Sequence, residues 1–401
     1  MPDRKDPWKI IRLLAITQIV SWGSLFYAFA IVAHDIQREL GWRTELVFGA
    51  YSWSLLVSGL AATPAGMLID RYGGRWVMGI GSLLAGAGMI GLALSHSFAL
   101  YLVSWTVIGF AMAMVLYEAA FATINREFLH SPRKGISVLT LFGGLASTVF
   151  WPLTLKLNGM LGWRDTFLVY GLIHLLLCAP LHALLHAGPR RAVPAAVKVA
   201  RDYTLHEALR DPTFWKLAFA FSANMFIFSS LSVHLIPLLQ RFGHSAGMAV
   251  LVSTLIGPMQ VAGRIVEMTL ARNIRPQMIG KLTFASMPAG LLALLFLGQH
   301  EVAVAAFCIL YGASNGVLTI VRGTVPQVLF GRENYGAISG ALAGPSLLAK
   351  SAGPIAAAAF IEFNSSPAWL LGILFAVSVL SLVFFLAAVR SERAGNAMAM
   401  E

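Results

Sequence analysis

The chain alternates long apolar runs with short polar interruptions, and it does so twelve times. The runs fall near residues 10–33, 44–68, 77–95, 99–124, 135–157, 164–187, 213–239, 246–271, 276–297, 301–324, 335–359 and 366–390. Each is close to the ~20 residues that a helix needs to cross ~30 Å of hydrocarbon. No water is present in that layer to pair backbone amides, so an apolar segment of this length crosses as a helix. A membrane barrel would instead show alternating apolar and polar positions in stretches of about ten residues. The pattern therefore predicts an all-α integral membrane protein with twelve transmembrane helices. The first run, Ile10 to Ala33, is long enough to span and lacks a small-residue cleavage pattern, so it reads as a helix and not as a cleaved leader.

Composition points the same way. Hydrophobic residues make up 58% of the chain and charged residues only 12%, about half the share usual in soluble domains. The net charge of +11 sits in short loops and not in a basic stripe, which argues against a nucleic-acid partner. It reports orientation instead. Of the 29 Lys and Arg, only Arg38, Arg43, Lys156, Arg164 and Arg241 fall in loops opposite the N-terminus, and Arg264, Arg322 and Lys350 lie within spans. The rest share the N-terminal side, which places both termini in the cytoplasm. Cys178 and Cys308 lie inside apolar runs, so no disulfide framework is implied.

One loop stands out. Gly66 to Trp76 reads GMLIDRYGGRW, a Gly-x-x-x-Asp-Arg-x-Gly-x-Arg pattern just after the second run. The chain also repeats itself. Gly135-Ile-Ser-Val-Leu-Thr-Leu-Phe-Gly-Gly at the fifth run parallels Gly336-Ala-Ile-Ser-Gly-Ala-Leu-Ala-Gly-Pro at the eleventh, and Ala271-Arg272 stands where a second copy of Asp70-Arg71 would be. Together these resemble the major facilitator superfamily. The resemblance implies a six-helix bundle over 1–187, a cytoplasmic linker over 188–212, with Tyr203 to Arg210 as a short surface helix or a solvated strand of linker, and a second bundle over 213–401. It further implies secondary transport by alternating access, with Gly66, Asp70, Arg71, Gly73, Arg75 and Arg126 as a cytoplasmic latch in which Asp70 faces the start of the eleventh span. Leu40-Gly41-Trp42-Arg43, Gly162-Trp163-Arg164-Asp165-Thr166-Phe167, Glu207 to Trp215, and Gly263-Arg264 are similar to features of bacterial relatives of the monocarboxylate porters. In those porters an arginine of the eighth helix contacts the carboxylate, and Arg264 matches it. Gln260 stands where an acid often accompanies that arginine, and Glu267 follows one turn later. The fourth span lacks the arginine and the fifth lacks the Gly-Pro spacing that drug antiporters usually carry.

Charges inside spans are costly, about 2.5–3.5 kcal/mol each on insertion scales, and therefore informative. Glu118 in the fourth span is a candidate proton carrier or a tie to a neighbouring helix. Arg264 either binds an anion through its planar fork or pairs with Glu267 on the same helical face. Lys350, flanked by Gly344-Pro345 and Gly353-Pro354, suits substrate or gating work on a loosened helix. Arg322 is a weaker candidate that could snorkel to headgroups. Gln18, Trp22, Tyr27, Asn224, His234, Gln260, Tyr311 and Asn315 could complete a site. Tyr27, Asn224, Tyr311 and Asn315 are favoured because the first, fourth, seventh and tenth spans usually line the cavity in this superfamily. His174 and His182 read as satisfied core histidines, and no metal-ligand spacing appears.

Gly312-Ala313-Ser314-Asn315-Gly316 matches a serine-hydrolase elbow, but a membrane span is not the strand–turn–helix such an elbow needs. No phosphate-binding or metalloprotease motif is present, so neither an enzyme nor a cofactor is expected. The leading reading is transport of a small organic anion such as a monocarboxylate across a bacterial inner membrane, coupled to protons, by a monomer. The alternatives are a neutral aromatic or heterocyclic solute such as a vitamin, efflux of amphipathic drugs, or a membrane solute sensor.

Overall fold

The computed structural model describes residues 7–128, 132–185, 202–271, 273–364 and 366–398. Most of the expected linker, 188–201, and Arg272 of the decayed loop copy lie outside them. Among the described residues the chain is helical throughout, with eleven apolar helical stretches long enough to span. One of these, Pro132–Ala183, runs 52 residues. At 1.5 Å per residue it would reach ~78 Å, more than twice a bilayer's hydrocarbon. It is broken at Gly162, where φ is 80° and ψ 170°. The protein thus makes twelve passes: α1 (Trp8–Leu40), α2 (Thr44–Tyr72), α3 (Gly74–Ala93), α4 (Phe98–Glu127), α5 (132–161), α6 (163–183), α7 (Pro212–Arg241), α8 (Ala246–Thr269), α9 (Pro276–Leu297), α10 (Glu301–Phe330), α11 (Tyr335–Phe363) and α12 (Pro367–Met398).

The Gly162 turn is a clasp. The next residue, Trp163, donates its indole N–H to Glu39 Oε2 at 2.6 Å, while Arg164 Nε meets Glu39 Oε1 at 2.6 Å and Nη1 meets the Ala93 carbonyl at 2.7 Å. The ends of α1, α3 and α6 are tied together there. The second Gly-Trp-Arg copy works differently. Gly41 ends α1 in the left-handed region (φ 65°), and Trp42 packs edge-on against Phe98 and Tyr101.

By contacts the chain divides into two units. One comprises Met1–Asp202 with Arg332–Gly344; the other comprises Tyr203–Gly331 with Pro345–Glu401. The first core is built around Trp105, Tyr101, Phe167 and Tyr170, and the second around Leu238, Leu291, Phe307 and Tyr311. Residues 332–344, expected with the second bundle, group with the first, because the opening of α11 packs on α2. In the described part of the linker, a helix spans Leu205–Arg210. A capping box starts it: Thr204 Oγ1 accepts from the Glu207 amide, and the Glu207 carboxylate accepts from the Thr204 amide.

Candidate functional site

The first unit holds Glu118 and Tyr27, and their surroundings follow from two irregular helices. α4 is not continuous. It breaks at Leu116, whose φ and ψ of −81° and −166° are extended, and resumes as Tyr117–Glu127. Gln18 on α1, fully buried, donates from Nε2 to the Val115 carbonyl at 2.6 Å, supplying a donor where the helix stops. Glu118 therefore stands half-buried in the first turn of a new helix, at its positive end. The sequence shows no glycine or proline at this break. α1 in turn contains a π-helical turn at Trp22–Tyr27, a device often found at functional sites. It presents Trp22 to Tyr117 (ring centroids 4.9 Å) and Tyr27 to Trp151 (5.8 Å, edge-on). Gln18 Oε1 and, three and four residues on, Ser21 Oγ and Trp22 Nε1 have no hydrogen-bond partner among the described residues.

Two buried histidines stiffen the same unit. His174, in a π turn of α6, bonds Ser24 Oγ at 2.8 Å, and His182 joins Ser82 Oγ at 2.8 Å and Thr17 Oγ1 at 3.0 Å. They are interhelical ties among α1, α3 and α6.

The second unit holds the other candidates, gathered on α7, α8, α10 and α11. α8 approaches α10 through glycines: a Cβ on Gly312 would lie 2.5 Å from the Ile256 carbonyl oxygen, and one on Gly263 as close to that of Ala313. The small residues of the elbow-like motif are thus a helix-packing face. This close approach seals Arg264 at 5% exposure, with Nε 3.4 Å from the Gly316 carbonyl and Nη1 without a partner among the described residues. Glu267 is also buried. Asn315 precedes Gly316 and is half-buried. Tyr311, one turn earlier, is committed to the wall: its hydroxyl donates to the Phe228 carbonyl at 3.0 Å and its ring stacks on Phe228 and Phe307. Arg322 Nη1 lies 3.8 Å from Met225 Sδ, next to buried Asn224, so its head is inside the unit. Lys350 is half-buried on α11. That helix stays helical through Pro345 and Pro354 and is not loosened as its sequence suggested. α7 is tied to it near the second proline: Ser230 Oγ donates to the Gly353 carbonyl at 2.9 Å and His234 Nε2 to that of Pro354 at 3.0 Å.

The latch residues cluster within the first unit. The amides of Gly336 and Ala337 donate to Asp70 Oδ1 and Oδ2 at 3.0 and 2.9 Å, so one carboxylate caps the start of α11. Gly66 makes this possible. A Cβ there would strike the Gly336 carbonyl, and one on Gly336 would meet the Gly66 oxygen at 2.6 Å. Arg126 Nη1 donates to the Asp70 and Ile69 carbonyls, closing the end of α2 before Gly73 turns at φ 85°. Arg71 and Arg75 lie over the Tyr72 and Trp76 rings, at 5.1 and 5.3 Å. Sequence reasoning missed Arg332, whose Nη2 donates to the Asn125 and Phe128 carbonyls, and Asp202, whose Oδ1 accepts from the Arg332 and Glu333 amides.

The chain matches the model of the Major Facilitator Superfamily over residues 13–354. It is 26% identical over 249 residues to the oxalate:formate antiporter of Oxalobacter formigenes, covering 61% of this chain and 57% of that protein. It is 24% identical over 340 residues to monocarboxylate transporter 4 of Rattus norvegicus, covering 78% and 69%. The crystal structure of the human organic anion transporter MFSD10 (TETRAN) superposes with a TM-score of 0.70 at 16% identity, covering 95% of this chain and all of that one. At that identity the likeness speaks for the fold alone.

Proposed function

From the premise that the chain belongs to the Major Facilitator Superfamily, and is thus a multi-pass membrane transporter of small solutes, we propose that its cargo is a small organic anion, foremost a monocarboxylate. The observation that carries this reading is Arg264. A guanidinium at 5% exposure with Nη1 lacking an acceptor among the described residues has a buried donor to offer inside the membrane, and a carboxylate offers the planar, bidentate match. The oxalate:formate antiporter and monocarboxylate transporter 4 are named for cargo of the same chemical class. Lys350 supplies a second positive charge in the same unit, Arg322, Asn224 and Asn315 supply polar contacts, and Tyr311 holds the wall. Glu118, at the amino end of its half-helix, is the proton carrier. Transport proceeds by alternating access in a bacterial cytoplasmic membrane, by a monomer with both termini inside, and the Asp70 cap on α11 favours one of the alternating states.

Each charge-assisted hydrogen bond to the ligand is worth about 1.5–3 kcal/mol, so Arg264→Ala should weaken carboxylate binding roughly 10- to 100-fold. The test is a thermal-shift titration of the detergent-purified protein with small carboxylates, since a ligand of the folded state raises its melting temperature. Stabilisation that survives Arg264→Ala removes the anion site. A second reading rests on the Trp22–Tyr117 and Tyr27–Trp151 contacts, which would suit a flat neutral ring. Stabilisation by an uncharged heterocycle, indifferent to Arg264→Ala, would select it.

A further inference from the structure

A groove of about 740 Å³ lies between α7, α11 and α12 in the second unit, separate from the residues assigned to the solute. Its walls are the side chains of Trp215, Phe219, Leu348 and Phe384, all of them exposed, Trp215 at 56%. The Trp215 ring is fixed in place by its indole N–H, which donates to the Leu209 carbonyl at 2.9 Å, and Phe219 packs on Phe384 with centroids 4.5 Å apart. Arg210 and Lys216 line the same groove, and both come from where the surface helix passes into α7. The neighbouring acids are engaged in caps: Asp211 Oδ1 accepts from the Thr213 amide at 2.7 Å, and Glu207 closes its capping box. The lining of α7 runs from Pro212 to Ser222, a rise of ~15 Å, which is one leaflet's share of a ~30 Å core. An apolar trough of leaflet depth, with cations and an interfacial tryptophan at one end, has the chemistry of a lipid site and not of a soluble ligand's pocket.

We propose that this groove binds an anionic phospholipid, with its acyl chain along Trp215, Phe219, Leu348 and Phe384 and its phosphate against Arg210 and Lys216. The arginine fork fits phosphate oxygens, and the lysine adds a second charge. A zwitterionic lipid offers the same phosphate but brings a cation that this basic end repels. Binding here holds three helices of the second unit together from outside and is independent of the solute's identity.

The experiment compares melting temperatures of the detergent-purified protein with dioleoylphosphatidylglycerol and with dioleoylphosphatidylcholine at equal mole fraction, and with glycerol 3-phosphate alone. Phosphatidylglycerol should raise the transition more than phosphatidylcholine does. The extra rise should vanish in the Arg210→Ala/Lys216→Ala double variant. It should also shrink in Leu348→Trp, which fills the groove and leaves both cations in place. Equal effects of the two lipids, an extra rise that survives the double variant and Leu348→Trp, or the full effect from glycerol 3-phosphate would overturn the proposal.

Discussion

A carbonyl that loses its helical donor inside a membrane must find another, and at Val115 that donor is the Gln18 side chain. Gln18→Leu keeps the volume and removes the donor, which should cost about 1–3 kcal/mol for the stranded carbonyl. The expected result is a lower melting temperature, and an unchanged one would mean that the break is held by something else. Gln18 stood among several polar residues in the sequence, and nothing local distinguished it. Its role depends on a contact 97 positions away, which no periodicity encodes. The histidines were more legible. A buried imidazole has to be hydrogen-bonded, and His174 and His182 are, although their partners Ser24, Ser82 and Thr17 emerge only from the packing. Arg264 shows both sides of this. Its intramembrane charge marked it from the sequence, while the alternative of pairing with Glu267 could be weighed only once its Nε was seen to turn to Gly316.

At the scale of elements, hydrophobic run length fixed how many helices there are and roughly where they lie, because the bilayer imposes one length on all of them. It could not place the internal breaks. The fourth span reads as one run, yet the helix stops at Leu116 without a glycine or proline to announce it. Conversely, Gly344-Pro345 and Gly353-Pro354 announce irregularity in α11, and the helix runs on through both prolines. Gly162 is a case where the residue does decide. At φ 80° and ψ 170° a side chain is strained wherever it points, at a cost on the order of 1–3 kcal/mol. Gly162→Ala should therefore lower the melting temperature and slacken the Glu39–Trp163–Arg164 clasp. A melting temperature equal to that of the wild type would contradict this account.

At the scale of the whole molecule, the Asp70 cap joins α2 to α11 and draws 332–344 into the first unit. Asp70→Asn keeps one acceptor but sets an amide N–H against the Ala337 amide and removes the charge, a loss of about 0.3–2 kcal/mol at a helix start. Uptake into proteoliposomes of whichever carboxylate stabilises the protein should fall by up to roughly tenfold, with insertion intact. Uptake at the wild-type rate would reduce Asp70 to a topological marker. The sequence by itself determined that the chain is a twelve-helix membrane protein of a transporter family, because span length and the signature loop are local patterns that the bilayer and a tight turn enforce directly. It also singled out the intramembrane charges, since each is too costly to be incidental. Only the tertiary structure decided which backbone atoms those residues serve. A cap such as Asp70 on Gly336, a donor such as Gln18 at Val115, and a sealed guanidinium such as Arg264 exist through distances between segments remote in the chain, and helical periodicity carries no information about them.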